Sequence, residues 1–148
     1  MLRTLEPPLT SNLLLRLRFG LVCTQRVAHM MEQPEALACL SALEGIVEQE
    51  TLDELQALAE KADAVANHHQ GSKSLDGVGH AAVSATYACA KAIAGKARQA
   101  AEYAAYAAVY GQGGYGATSE PSSFVPEYQW QATQLKTLLD AAQSSNAA

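Results

Sequence analysis

The strongest fold signal in this chain lies in residues 78–110, which read VGHAAVSATYACAKAIAGKARQAAEYAAYAAVY. Fourteen of these residues are alanine, which combines the highest helix propensity with a side chain of one methyl group. Helices built largely from alanine can approach each other closely, because little side-chain volume separates their backbones. The segment therefore predicts closely packed helices.

Side chains spaced four residues apart in this segment share one helix face. Small residues form two such rows, namely Ala81, Ala85, Cys89 and Ile93, then Ala97, Ala101 and Ala105. Three tyrosines supply bulk on a common face: Tyr103, Tyr106 and Tyr110. Glycine inside a helix costs about 1 kcal/mol relative to alanine, so we predict two helices that meet near Gly95, with one kinked helix as the alternative.

The N-terminal part predicts two further helices. An extended lead-in over residues 1–10 precedes a helix that begins after Asn12, whose side chain can cap it. This helix is apolar on most sides and should end near Gln33, because the residue before a proline avoids the α conformation. Pro34 suits the first turn of the second helix. The predicted core face of that helix is Leu37, Leu40, Leu43 and Val47.

Thr51 and Glu54 have the spacing of a capping box, in which each side chain hydrogen-bonds to the backbone N–H of the other residue. We therefore predict that a third helix starts at this point. Its buried face should comprise Leu52, Leu55, Leu58, Ala59, Ala62, Val65 and Ala66.

The C-terminal part begins with residues 111–123, which contain four glycines and no periodicity and so predict a mobile Gly/Ser loop. A last helix over 126–142 should pack through Tyr128, Ala132, Leu135 and Leu139, before a frayed tail at 143–148. The sequence thus predicts an all-α fold in a single domain over 1–148. That domain should be a compact bundle of five or six helices with closely packed alanine-rich members.

Length and composition limit the class of protein. A chain of 148 residues suffices for one domain that buries roughly two-thirds of its unfolded surface. The three cysteines, Cys23, Cys39 and Cys89, lie in apolar helical patterns, and an odd number of buried thiols fits a reducing compartment. No window of about 18 residues is both apolar and free of charge, which argues against a membrane span. We therefore expect a cytoplasmic protein that does not associate with membranes.

The net charge of −5 is distributed unevenly. Residues 1–31 hold four arginines and one glutamate, a balance of +3, whereas residues 32–63 hold nine acids and Lys61, a balance of −8. An acidic centre argues against nucleic acid, which is bound through clustered Lys and Arg, and it fits a basic protein partner. The candidate partner-binding residues are five carboxylates: Glu44, Glu48, Asp53, Glu60 and Asp63.

Catalytic and metal-binding patterns are weak. The sequence has no C-x-x-C, H-E-x-x-H or E-x-x-H spacing, so we predict no metal and no cofactor. Cys23 lies among apolar residues, which favours a core thiol over a nucleophile with His29 or His80 as its base. Asp76 and His80 are four residues apart at a helix start, which favours a cap with an oriented imidazole over a catalytic dyad.

Arg26 is a charge on a helix that is otherwise apolar on most sides, so burying it would require an acidic partner. Glu32, Glu35 and the acids of the third helix are the candidates. We favour a structural clasp over a substrate-binding role for this arginine. Because no set of catalytic groups converges in the sequence, we predict a non-enzymatic protein.

Two segments carry a family resemblance. Residues 23–27 read CTQRV and precede Met31-Glu32-Gln33-Pro34, and residues 79–92 read GHAAVSATYACAKA. They resemble the Cys-Ala-Glu-Arg-Val opening and the alanine-rich signature of a family of immunity proteins from bacterial polymorphic toxin systems. Order and spacing agree over 17–96, although the tryptophan typical of the end of the second helix is absent. Alanine-rich helical proteins of unknown role from planctomycete-like genomes are similar as well.

The resemblance implies an all-α fold and a role in binding a toxin. It implies no catalytic residue, and it marks five positions as architectural: Cys23, Arg26, Glu32, Gly79 and His80. We expect a protein-binding domain, specifically a toxin-neutralising immunity protein that acts through an acidic helical face. The alternative is a homo-oligomer whose contact uses the alanine rows and the tyrosine face. An enzyme built on Asp76, His80 or a cysteine is the weakest interpretation.

Overall fold

The computed structural model describes residues 12–68 and 77–147, apart from the side chains at 68, 77–80, 115 and 142–147. Within these residues the chain forms helices and no strand, which confirms the all-α prediction. The α-helices are α1 (Leu13–Arg26), α2 (Pro34–Gln49), α3 (Leu55–His68), α4 (Gly77–Ile93), α5 (Ala97–Thr118) and α6 (Val125–Ala147). Short 3-10 helices lie at Ala28–Met30, Leu52–Glu54 and Pro121–Phe124. No helix in this part of the chain combines the length and the apolar character that a membrane span requires.

Helix α1 is central, since it contacts α2, α4, α5 and α6. Its N-terminus is capped as predicted, because the Asn12 side chain accepts a hydrogen bond of 3.0 Å from the Leu15 backbone N–H. The predicted end near Gln33 is wrong, because the helix stops at Arg26 and a 3-10 turn follows. That turn places the Met30 side chain against α5, where a Cβ on Gly111 would lie 2.9 Å from Met30 Cε. The helix thus ends well before the proline, and the turn that follows it carries a contact with α5.

The alanine-rich helices α4 and α5 form the most extensive helix pair among the described residues. Both rows of small residues are buried, as predicted, and the two helices are separate rather than one kinked helix. Gly95 lies between them with a φ of +78°, a conformation that glycine adopts without a steric cost. Its carbonyl accepts a hydrogen bond of 3.1 Å from Arg16 Nε, which ties the turn to α1.

Helix α1 also packs against the alanine-rich pair at very short range. A Cβ placed on Gly20 would lie 2.9 Å from the Cβ of Ala92 and 3.1 Å from its Cα. Ala92 is fully buried. The backbones of α1 and α4 therefore meet at a point where neither helix has room for another carbon atom.

The tyrosine face is divided between the core and the surface. Tyr110 is buried, Tyr106 is half-buried, and Tyr103 is 37% exposed. Tyr103 stacks on Tyr87 of α4 with ring centroids 5.6 Å apart. The tyrosine rings thus add volume to the helix packing as predicted, but the ring of Tyr103 remains accessible to solvent.

Helix α2 begins at Pro34 as predicted, and Leu40, Leu43 and Val47 are buried. Leu37 was placed on the core face by its spacing, but it is 41% exposed. At about 100° per residue, Leu37 lies about 120° around the helix from Leu43, outside the buried arc. Ala36, Cys39 and Ile46 complete that arc instead.

The capping box at Thr51 is not formed, which corrects the predicted start of the third helix. The Glu54 N–H donates to the backbone carbonyl of Thr51 at 3.2 Å, within a 3-10 turn, so it is not available to the Thr51 hydroxyl. Helix α3 therefore starts at Leu55, and Leu52 is 39% exposed rather than buried. Of the predicted face, Ala62 and Ala66 are buried, while Leu55, Leu58, Ala59 and Val65 are half-buried.

The loop predicted over 111–123 is largely helical. Helix α5 continues to Thr118, with a break at Gly114 (φ 66°, ψ −154°), and Pro121–Phe124 forms a 3-10 turn. Glycine alone adopts the Gly114 conformation readily, so this residue lets the chain bend and resume. Helix α6 continues to Ala147 rather than ending at 142. The lead-in over 1–10 lies outside the described residues.

Candidate functional site

The five carboxylates predicted to bind a partner are exposed. Glu44 and Glu48 lie on α2, Asp53 on the 3-10 turn, and Glu60 and Asp63 on α3. Among the described side chains, none of the five lies within 4.0 Å of a cationic nitrogen. Glu50 does have such a contact, with Arg18 at 3.8 Å, between two side chains that are themselves largely exposed. The predicted residues thus carry negative charge that no described cation neutralises by contact.

A groove runs between α2 and α3, with a volume of about 400 Å³. Its apolar part is formed by Ile46 and Leu58, and its sides are formed by small residues of both helices: Ala42, Gly45 and Ala57. Polar residues complete the lining: Gln49, Thr51, Glu54 and Lys61. None of the five predicted carboxylates lines it.

Helical geometry explains this arrangement. At about 100° per residue, Glu44 lies about 160° around α2 from Ala42, which lines the groove, and Asp63 lies about 160° around α3 from Lys61. These two carboxylates therefore occupy the outer sides of the helix pair. The sequence predicted one acidic face, and the structure places Glu44 and Asp63 on the sides of their helices that point away from the groove.

Arg26 forms the clasp that the sequence predicted, but with a different acid. Its Nε donates to Glu127 Oε2 at 2.8 Å and its second guanidinium nitrogen to Oε1 at 3.3 Å, a two-point contact across 101 residues. The guanidinium carbon also lies 4.1 Å from the centre of the Trp130 ring. Glu127 is 6% exposed and Arg26 is 38% exposed, so the pair closes α6 over the end of α1. Glu32, Glu35 and the acids of α3 are not the partners.

The three cysteines are buried thiols. Burial raises the pKa of Cys23 well above its ordinary value, and the carboxylate of Glu127 raises it further. Burial likewise raises the pKa of Cys89 to about 12, with a smaller contribution from Cys39, whose own pKa is also raised by burial. The Cys89 thiol lies 3.7 Å from the Ala36 carbonyl, to which it donates. Thiols of this kind are poor nucleophiles at neutral pH.

The structure describes only one of the two candidate histidine side chains. Asp76 and the side chain of His80 lie outside the described residues, so their proposed pairing stays a prediction. His29 is exposed on the first 3-10 turn, whereas Cys23 is fully buried. In the described part of the chain, no three His, Cys, Asp or Glu side chains are grouped to hold a metal ion.

Sequence reasoning missed the buried polar residues of α6. Glu127, Gln131 and Leu135 are spaced four apart and all are buried, and Leu138 and Leu139 of the same helix pack against the core from partly exposed positions. Gln131 Nε2 donates to the Ala101 carbonyl at 2.9 Å, while its Oε1 has no hydrogen-bond partner. The four-residue spacing of these residues is visible in the sequence, but two of the three are polar, so the spacing did not suggest a buried face.

A second concave surface lies between α4 and α5, with a volume of about 570 Å³. It is lined by Ser84, Lys91, Gln99, Glu102, Tyr103 and Tyr106. Glu102 already pairs with Arg98 at 3.3 Å. The accessible part of the tyrosine face therefore lies in a polar, mixed-charge depression.

Comparison with known proteins found no matching family model, no similar curated protein and no similar solved structure. The functional proposal therefore rests on the residues of this chain.

Proposed function

We propose that this chain is a single-domain helical bundle of the cytosol that binds a basic protein partner through the acidic helices α2 and α3. The observation that carries this proposal is the exposure of Glu44, Glu48, Asp53, Glu60 and Asp63 without a contacting cation among the described side chains. They belong to a segment with a charge balance of −8. A field of this sign attracts a positively charged surface and speeds its association.

A binding role is favoured over catalysis by the state of the candidate catalytic groups. Burial raises the pKa of all three thiols, which disfavours the nucleophilic thiolate. Arg26 is occupied by Glu127 and Trp130 and is therefore not free to bind a substrate carboxylate or phosphate.

We further propose that the partner is a toxin, which the chain neutralises by binding. The resemblance of residues 23–27 and 79–92 to immunity proteins of bacterial polymorphic toxin systems supports this class of partner. Within those segments, Cys23 and Arg26 have structural roles, in keeping with the architectural role that the resemblance implies for them.

A homo-oligomer is the second candidate, although the structure leaves only part of the contact surface that the sequence suggested for it. The alanine rows are buried inside the chain, so they cannot also form a contact between copies. What favours this candidate is Tyr103, which is accessible beside Tyr106 in the depression between α4 and α5. Sedimentation velocity of wild type and Tyr103→Ala tests it, since a dimer held by this face would dissociate in the variant.

The test of the main proposal is a comparison of two double variants in association with a basic protein partner, for which the product of a neighbouring reading frame is the first protein to try. Glu44→Gln/Glu48→Gln removes two charges from α2, and Glu120→Gln/Asp140→Gln removes two exposed charges from other parts of the chain. We expect the first variant to associate several-fold more slowly at low salt and to show a flatter salt dependence, because exposed charges act over a Debye length of about 10 Å at 0.1 M salt. The second should behave like wild type. Equal rates for both variants at every salt concentration would overturn the proposal.

A further inference from the structure

Two of the three cysteines line one small space at the junction of α2, α3 and α4. Cys39 lies on α2 and Cys89 on α4, fifty residues further along the chain, and both are 1% exposed. The other residues around this space are Ala36, Ala62, Val65 and Thr86. The space is too small to hold a water molecule, so no solvent separates the two thiols.

One hydrogen bond shows how the two thiols are placed. Cys89 Sγ lies 3.7 Å from the carbonyl oxygen of Ala36, to which it donates. In an α-helix a side chain leans toward the N-terminus and lies beside the carbonyl groups three and four residues before it, so the Cys39 side chain lies beside this same carbonyl. The two thiols are therefore neighbours across the contact between α2 and α4. The interaction by which Cys39 raises the pKa of Cys89 agrees with this proximity.

Cys23 is not part of this pair. It lies on α1 and does not line the space around the other two thiols. Apart from burial, the groups that shift its pKa are Glu127 and Arg26, and neither of the other cysteines is among them. In the sequence Cys23 and Cys39 are only sixteen residues apart, so the fold pairs the two cysteines that the chain separates more widely.

The paired thiols lie next to the groove between α2 and α3. Lys61 lines that groove, and the following residue, Ala62, lines the space around the thiols. Burial raises the pKa of Cys39, and the ammonium group of Lys61 opposes that rise. If α2 and α3 separate locally along the groove, Cys39 becomes accessible beside a cation that favours its thiolate form.

We propose that Cys39 and Cys89 are an oxidisable pair that forms a reversible disulfide between α2 and α4, and that Cys39 reacts first. The oxidant is a small disulfide such as oxidised glutathione, which enters when the groove opens. The Cys39 thiolate attacks one sulfur of this disulfide, whose S–S bond breaks, and the other half leaves as a thiolate.

The resulting mixed disulfide is resolved by Cys89. Its thiol loses its proton, and the thiolate attacks the Cys39 sulfur and expels the second small thiolate. Two protein thiols are thus oxidised, and one small disulfide is reduced to two thiols, which take up the two protons. Because both thiols are buried, this is a slow stoichiometric modification and not a catalytic cycle.

The probe is oxidised glutathione, added to the reduced full chain under native conditions and, in parallel, in guanidinium chloride. Intact mass and peptide mapping without reduction identify the products. In the unfolded chain loop closure favours Cys23–Cys39 over Cys39–Cys89 by about five-fold, because the shorter loop loses less entropy. The native chain should reverse this preference and form Cys39–Cys89 with the loss of two hydrogen atoms. Cys23–Cys39 as the main native product, or the same mixture in both conditions, would overturn the proposal.

Three matched variants each remove one buried sulfur. Cys23→Ala should form the disulfide as wild type does, whereas Cys89→Ala should stop at a mixed disulfide between Cys39 and glutathione. Cys39→Ala should form no disulfide within the chain. Circular dichroism establishes that each variant is folded, and peptide mapping of wild type decides the pairing if one of them is not. A disulfide lost only in Cys23→Ala would contradict the assignment.

Two further measurements test the order of reaction and the fit of the bond. Lys61→Met should slow oxidation at least about two-fold, because it lowers the thiolate fraction of Cys39, while Lys136→Met removes an exposed lysine from α6 and should have no effect. Equal rates in the two lysine variants would overturn the assignment of Cys39 as the first thiol to react. The oxidised chain should keep its helical spectrum and raise its Tm by about 5 °C or more. A lower Tm after oxidation would show that the packing of α2 against α4 does not accommodate the bond, and would overturn the proposal.

Discussion

Gly20 and Gly45 both lie inside helices, and the structure predicts that the same substitution at these two positions has opposite effects. In Gly20→Ala the new Cβ would lie 2.9 Å from Ala92 Cβ and 3.1 Å from Ala92 Cα. The second of these atoms belongs to the backbone, so α1 and α4 have to move apart. Overpacking of this kind costs about 1–3 kcal/mol, and the gain in helix propensity returns about 1 kcal/mol. We therefore expect Gly20→Ala to lose up to about 2 kcal/mol of the free energy of unfolding.

Gly45→Ala gains helix propensity without overpacking, because no atom lies within 4 Å of its new Cβ. It should be more stable than wild type by up to about 1 kcal/mol, which corresponds to a rise in Tm of about 2–4 °C for a chain of this size. Urea unfolding followed by circular dichroism at 222 nm measures both variants, and an unchanged m-value would show that stability alone has changed.

A rescue variant tests whether Ala92 is the cause. In Gly20→Ala/Ala92→Gly the opposing methyl group is removed, so the loss should be smaller than the sum of the two single losses by about 0.5–3 kcal/mol. If Gly20→Ala stabilises the protein as much as Gly45→Ala does, the backbones of α1 and α4 are not in close contact. The reasoning about alanine-rich packing would then be refuted.

Two further predictions concern the core and the clasp. Leu43→Ala removes a fully buried side chain and should cost about 2–5 kcal/mol, whereas Leu37→Ala on the exposed side of α2 should change stability by less than about 0.5 kcal/mol. Equal losses in urea unfolding would mean that the buried arc of α2 is misassigned. Arg26→Met leaves the nearly buried carboxylate of Glu127 without its two-point partner and should cost about 1–3 kcal/mol, while Arg26→Met/Glu127→Met should recover most of that loss. Strictly additive losses in the double variant would show that the pair is not coupled.

Features that depend on neighbouring residues could be predicted from the sequence. The Asn12 cap, the start of α2 at Pro34 and the division at Gly95 each follow from the backbone preference of one residue. The alanine rows were predictable because 14 of 33 residues in one stretch are alanine and recur at helical spacing. In each case the local chemistry and the tertiary structure favour the same conformation.

Features that depend on distant residues could not be predicted in this way. The segment 111–118 looks like a loop by composition, but Gly111 contacts Met30 from another part of the chain, and the helix continues. The capping box at Thr51 fails because a 3-10 turn uses the Glu54 N–H first. Glu127 lies 101 residues from Arg26, so no local pattern joins them.

The candidate site likewise combines a feature that the sequence predicts with one that it does not. The acidic segment was visible in the sequence, and the structure shows its five candidate carboxylates exposed. That Glu44 and Asp63 lie away from the groove could be seen only once Ala42 and Gly45 of α2 were known to line it together with Ala57 of α3. Small residues on two helices do not reveal a groove until the packing of the two helices is known.

The three buried thiols can be used to measure how often the protein opens locally. Cys23, Cys39 and Cys89 lie on three different helices, α1, α2 and α4, and each is almost fully buried with a raised pKa. An alkylating reagent can therefore reach a sulfur only while the surrounding structure is transiently open. When reclosing is fast, the labelling rate at each cysteine measures how often its own helix opens. Three equal rates would mean that the helices open as one unit, and three different rates would rank α1, α2 and α4 by local stability without any substitution.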